Sequence, residues 1–211
     1  MRQQATITTL AVLLCLSLVT GLGAQDKLQE RRIAELSIPG EKQTVLGLYV
    51  NSKEAYAMWQ KNPNEIKLLD CRTPEEYVMV GHAPMAHNVP VRFFTYQFDF
   101  AKNNYVMKEN PDFISEVKKR LKVTDTVLVM CRSGSRSAAS VNKLAEAGFK
   151  KVYNVVDGFE GDPVKDPESS FDGKYLKNGW KNSGAPWTYA LDPKLVYAPR
   201  PEVSPPAGAP R

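Results

Sequence analysis

Cysteine and histidine are scarce in this chain: three of the first and two of the second among 211 residues. His82 and His87 are too few for an ordinary transition-metal site, so neither a metal nor a cofactor is expected. Three cysteines exclude a small fold stapled by several disulfides. There is no long basic block of the kind that grips nucleic acid, and there is no internal repeat. No apolar run reaches the about 20 residues that a membrane span needs. The net charge is +5, and it falls to +4 without residues 1–24, whose only charged side chain is Arg2. The excess is spread along the chain and points only to an anionic small ligand.

The N-terminus has the layout of a secretory leader. Arg2 supplies positive charge, Leu10 to Val19 is almost wholly apolar, and Gly21-Leu22-Gly23-Ala24 is mostly small. Residues 1–24 are therefore expected to be a signal peptide, cleaved near Ala24. The protein is then exported, periplasmic if the source is Gram-negative, with no stable membrane insertion after cleavage. Cys15 leaves with the leader, and Leu14 before it is too large for a lipid-anchor site. Cys71 and Cys131 remain. In an oxidising compartment two cysteines first suggest one structural disulfide.

Residues 25–47 read as a polar N-terminal arm. Tyr49-Val50 suggests a short strand, and Asn51 or Ser52 caps a helix over Lys53 to Gln60. Ile66 to Leu69 reads as a buried strand ending at Asp70. Thr73-Pro74-Glu75-Glu76 is a helix start, with Thr at the cap, Pro at the first position and acids in the first turn. The stretch 92–111 holds Phe93, Phe94, Tyr96, Phe98, Phe100 and Tyr105. Such a cluster fits a satellite hydrophobic core better than a loop covering a pocket. An amphipathic helix follows over Asp112 to Leu121. Thr126 to Met130 and Val152 to Val156 are apolar runs suited to a buried parallel sheet, separated by a helix over Ser137 to Ala147 that Gly148 closes. Residues 191–211 form a Pro-rich tail expected to be disordered. Strands alternating with helices give an α/β domain over residues 48–190, with a central parallel sheet flanked by helices on both faces.

Cys131 follows the third of these strands, and the next helix begins a few residues on. The loop Cys131-Arg132-Ser133-Gly134-Ser135-Arg136 thus lies at the C-terminal edge of the sheet, where α/β proteins place ligands. A short loop leading into a helix N-terminus aims backbone N–H groups inward, and with the helix dipole it favours negative charge. A thiolate there becomes nucleophilic at neutral pH. Gly134 allows the turn, Arg132 and Arg136 add positive charge, and Ser133 and Ser135 can donate hydrogen bonds to a sulfur anion.

The chain resembles the single-domain rhodanese family of sulfurtransferases. Five stretches carry the likeness in order: Leu68 to Tyr77, Gly81 to Pro90, Cys131 to Ser137, Gly148 to Gly158 and Trp180 to Pro186. The resemblance implies that Cys131 takes the outer sulfur of a small anionic donor such as thiosulfate. A Cys131 persulfide then rests among the amides of Arg132 to Arg136 and passes its sulfur to cyanide or a thiol, or to a protein acceptor. Related phosphatases and arsenate reductases use a loop one residue longer, so the six residues from Cys131 to Arg136 favour sulfur. Two other functions fit the same residues: a persulfide carrier that delivers sulfur without turnover, and a thiol redox protein using Cys71 and Cys131.

Cys71 departs from the family, which commonly has an aliphatic residue there. It follows its own strand as Cys131 does. It is read as a small buried hydrophobe, the commoner use. The alternative is a partner that resolves the persulfide or forms a reversible disulfide. Asp70, Arg72, Glu75 and Glu76 are expected to brace the loop as a charge network, and the resemblance makes His82 a turn-stabilising residue. Trp180 and Trp187 are expected in the core. The insertion 162–177 is either a selector near the site or a surface loop.

Overall fold

The computed structural model describes residues 26–198; the predicted leader and the end of the tail lie outside the described residues. A helix over residues 26–35 (α1) opens the described chain. In order there follow β1 (Tyr49–Val50), α2 (Ser52–Lys61), β2 (Ile66–Asp70), α3 (Pro74–Met79) and β3 (Ala86–Asn88). Then come β4 (Arg92–Asp99), β5 (Asn104–Glu109), α4 (Phe113–Arg120), β6 (Thr126–Met130), α5 (Ser135–Glu146) and β7 (Val152–Val155). Five of the strands form one parallel sheet in the order β1-β7-β6-β2-β3. This is the expected α/β architecture.

Two-residue alternation along the strands decides which side chain meets which helix layer. Leu69, Val127 and Val129 pack with Phe113 and Val117 of α4 and Val141 and Leu144 of α5. Leu68, Leu128 and Met130 face the other way, against Ala55 of α2 and Trp180. Each fully buried Leu or Phe side chain contributes about 1.5–3 kcal/mol. Both layers are continuous, which is why the central strands read as unbroken apolar runs.

The helix starts are capped by side chains. Asn51 accepts from the Glu54 N–H at 3.0 Å while Glu54 accepts from the Asn51 N–H at 2.9 Å. Thr73 and Glu76 make the same reciprocal pair at the start of α3, with Pro74 at the first position.

Three sequence expectations change. Residues 92–111 form an antiparallel hairpin, not a satellite core: Phe100 is 88% exposed and Tyr96 79%. A two-stranded ribbon has no second layer to cover it, so its aromatics stack edge-on against one another, Phe98 on Phe100 at 5.1 Å and on Tyr105 at 5.3 Å. The tail is held as far as residue 198. The Asn88 N–H at the free edge of β3 donates to the Leu195 carbonyl at 2.8 Å, and Tyr197 packs on Phe93. Trp180 is buried, but Trp187 lies on the surface, where the Lys181 ammonium sits 4.2 Å from its ring.

Under the sheet's C-terminal edge lies a fully buried ion pair. Arg72 donates to both oxygens of Asp70 at 2.6 to 3.1 Å and to the Gly81 carbonyl at 2.8 Å, with Phe159 stacked 4.1 Å from its guanidinium carbon. Removing one partner strands a buried charge, so Arg72→Met should lose about 3–5 kcal/mol of stability in urea unfolding. A loss below about 1 kcal/mol would show that Asp70 finds solvent or another partner.

Candidate functional site

Cys131 is the residue after β6, and the chain turns from it directly into α5. The helix begins at Ser135, two residues before the sequence suggests, with Gly134 as its N-cap at φ +104°. A Cβ at Gly134 would lie 2.2 Å from the Val156 carbonyl oxygen, so this close approach requires glycine. The Cys131 carbonyl accepts the Phe159 N–H at 2.7 Å, and the Arg132 carbonyl accepts those of Glu160 and Gly161 at 2.9 and 3.2 Å. The segment after β7 thereby pins the start of the loop.

Cys131 is 2% exposed, and its sulfur is ringed by donors. The Gly134 N–H lies 3.1 Å from Sγ and the Ser137 Oγ 3.5 Å. The Ser137 backbone and the Cys71 thiol also lie close enough to favour its charged form. Burial opposes ionisation, but the Cys71 contact, the Arg136 charge and the Ser137 donors outweigh it and hold the Cys131 thiol well below its ordinary value. Ser137 was not singled out from the sequence. Its Oγ also reaches the Gly134 carbonyl at 2.9 Å and Asn154 Oδ1 at 2.7 Å. Asn154 in turn donates to Lys42 and Gly134 carbonyls, which ties β7 to the loop. The signal for Ser137 is helical: about one turn past the N-cap Gly134, its side chain points back toward the N-terminus.

The two loop arginines are differently engaged. Arg136 makes a bidentate ion pair with Glu76, at 2.7 and 2.6 Å. Burial works against the Glu76 charge, yet Arg136 keeps its carboxyl below the ordinary range. Glu76 therefore caps α3 and holds the loop at once, while Glu75 is exposed. Arg132 is exposed, and its guanidinium lies 4.6 Å from the Tyr175 ring. That contact brings the 162–177 insertion to the loop. His82 is buried, stacks on Tyr77 and bonds the Tyr77 and Ala190 carbonyls, a structural placement.

Above Cys131 is a cavity of about 260 Å³. The loop side chains Arg132, Ser133, Ser135 and Arg136 form one wall, with Glu76 beside them. Phe94, Asn104 and Met107 from the hairpin form another. Of the two readings of the aromatic stretch, the pocket cover is the one the geometry bears out. The arrangement is suited to a small anion delivered to a thiolate, with cations and N–H donors to receive the charge.

A family model for the rhodanese-like domain matches residues 52–162. An uncharacterised protein of Rickettsia prowazekii is 33% identical over 138 residues, covering 65% of this chain and 94% of that one. The chloroplastic thiosulfate sulfurtransferase 16 of Arabidopsis thaliana is 39% identical over 93 residues, 44% of this chain and 70% of its own. The crystal structure of Rv0390 from M. tuberculosis superposes with a TM-score of 0.52 at 28% identity, over 67% of this chain and 96% of that one.

The lowered Cys131 pKa has a directional consequence. The thiolate forms at lower pH than in an ordinary thiol, so the rate of alkylation by iodoacetamide should level off earlier, rising less than tenfold per unit between about pH 6 and about pH 8. An ordinary thiol would gain close to tenfold per pH unit over most of that range. Such a steep rise at Cys131 would contradict the site's electrostatics.

Proposed function

The chain belongs to the rhodanese-like domain family, and on that premise we propose that it is a sulfurtransferase working through a Cys131 persulfide. The observation that carries the reading is the set of donors about a buried Cys131 at the floor of a small cationic cavity. The Cys131 thiolate attacks the outer sulfur of thiosulfate. The S–S bond of the donor breaks, and sulfite departs with the bonding electron pair. The persulfide keeps one negative charge on its outer sulfur, within reach of the Gly134 and Ser137 amides. Cyanide or a thiolate then attacks that outer sulfur, and Cys131 is regenerated as thiolate. Charge balances in both halves, so no general acid is required, and none of the carboxylates is needed as one.

Arg132, Ser133, Gly134, Ser135 and Arg136 are the donor-binding residues in this reading. Arg136 acts with its charge partly compensated by Glu76, so Arg132 is the freer cation for the departing sulfite. The insertion takes part through Tyr175, which sets where Arg132 lies. We further propose, from the residue order alone, that residues 1–24 are a leader that carries this chemistry out of the cytoplasm.

Thiosulfate and cyanide together should yield thiocyanate with turnover, and Cys131→Ser should lower the rate at least about a thousandfold. A wild-type chain that makes no thiocyanate from thiosulfate or polysulfide would reject the enzyme reading, as would a Cys131→Ser variant that still turns over.

A further inference from the structure

Cys71 has no task in the transfer just described, yet the fold brings it against the reacting sulfur. Strands β2 and β6 are paired in parallel, with Leu69 opposite Val129 and Asp70 opposite Met130. The Cys71 N–H continues the ladder by donating to the Met130 carbonyl at 2.9 Å. The next opposed positions are therefore Cys71 and Cys131. By the two-residue period both point to the same face as Leu69 and Val129, and both belong to that core cluster. Neighbouring strands run about 4.8 Å apart, inside the Cα separation of about 4.4–6.8 Å that a disulfide accepts. The two thiols are thus neighbours within one core cluster, each shifts the other's pKa, and they are not joined in a disulfide.

The two approaches to Cys131 differ in direction. An acceptor from solvent enters through the cavity, which Cys71 does not line. It meets the outer sulfur of a persulfide first. Cys71 is fully buried on the protein side, opposite Cys131 across the strand pair, and so faces Sγ, the inner sulfur. A nucleophile on the inner sulfur expels the outer one.

Building on the sulfurtransferase reading, we infer that Cys71 discharges an unclaimed Cys131 persulfide as sulfide and closes a Cys71–Cys131 disulfide. The Cys71 sulfur attacks Cys131 Sγ. A bond forms between the two Sγ atoms, and the persulfide S–S bond breaks. Its electron pair leaves on the outer sulfur, which takes the Cys71 proton and departs as hydrosulfide. Two cysteine sulfurs are oxidised, the sulfane sulfur is reduced, and one negative charge stands on each side. The oxidant is the persulfide itself. An external dithiol is the reductant that returns the pair to thiols. Burial first, and then the Cys131 charge, keep Cys71 protonated. Discharge is therefore slow, and a solvent acceptor that is present takes the sulfur first. The pair makes sulfur release conditional on whether an acceptor arrives.

The test uses the mature chain, fully reduced, without oxygen and without acceptor, loaded with excess thiosulfate and then desalted. Intact mass and free sulfide are followed in time. The wild type should gain about 32 Da, then lose it and settle about 2 Da below the reduced protein, releasing close to one sulfide per chain. The decay should be first order and independent of protein concentration, since both sulfurs belong to one chain. Cys71→Ala and Cys71→Val should load and then hold the added sulfur. A wild type that loads and keeps its sulfur, with no sulfide released, would overturn this inference and leave the sulfurtransferase reading standing. If neither wild type nor variants ever gain sulfur, both readings fall together. The wild-type time course decides the matter even if a variant folds poorly.

Discussion

The parallel pairing of β2 with β6 is the constraint on which the rest of the site depends. Its register runs from Ile66 opposite Thr126 to Asp70 opposite Met130. One residue beyond, both strands release their chains at the same sheet edge. On one side the chain turns into α3, which supplies Glu76. On the other it turns into α5, which supplies the amides around Cys131. A slip of one residue would send Cys71 and Cys131 to opposite faces, and Leu69 and Val129 would leave their core. The cost of moving those apolar side chains is what holds the two thiols together.

Two ion pairs then convert the sheet edge into a rigid frame. Asp70 and Arg72 are both fully buried, and their mutual hydrogen bonds meet most of the desolvation each would suffer alone. Arg72 also bonds the Gly81 carbonyl, so the turn before β3 is tied to the end of β2. Glu76 caps α3 and grips Arg136, which joins α3 to α5 across the cavity. A negative charge on Cys131 would thus sit in a frame where the Asp70–Arg72 and Glu76–Arg136 charges are already compensated. The remaining stabilisation comes from fixed N–H donors that need no reorganisation when charge arrives.

Much of this was legible in the chain. The apolar runs of β2, β6 and β7 and the Thr73-Pro74 start marked the sheet and α3, because burial on both faces and capping leave direct traces in residue order. Cys131 was legible from its place between a strand and a helix. Residue order marks Asp70 and Arg72 as a brace, and the buried pair shows how. The rest depended on tertiary contacts. Ser137 acts through a helical turn that begins earlier than its residues suggest. The stretch from Phe93 to Tyr105 has core composition, but composition does not say whether a second layer is present to cover it. The pairing of Leu195 with the edge of β3 uses only backbone groups, so nothing in the side chains announced it. The contact between Tyr175 and Arg132 spans an insertion whose path residue order does not specify.

The central claim is that sulfur rests on Cys131 within the ring of loop amides. A crystal structure of the Cys71→Ala chain after thiosulfate loading tests it most directly. One additional sulfur atom bonded to Cys131 Sγ, in hydrogen-bonding reach of the loop amides, is the predicted result. In a chain whose mass shows that it has gained the sulfur, added sulfur on any residue other than Cys131, or on Cys131 but out of reach of the loop amides, would contradict it.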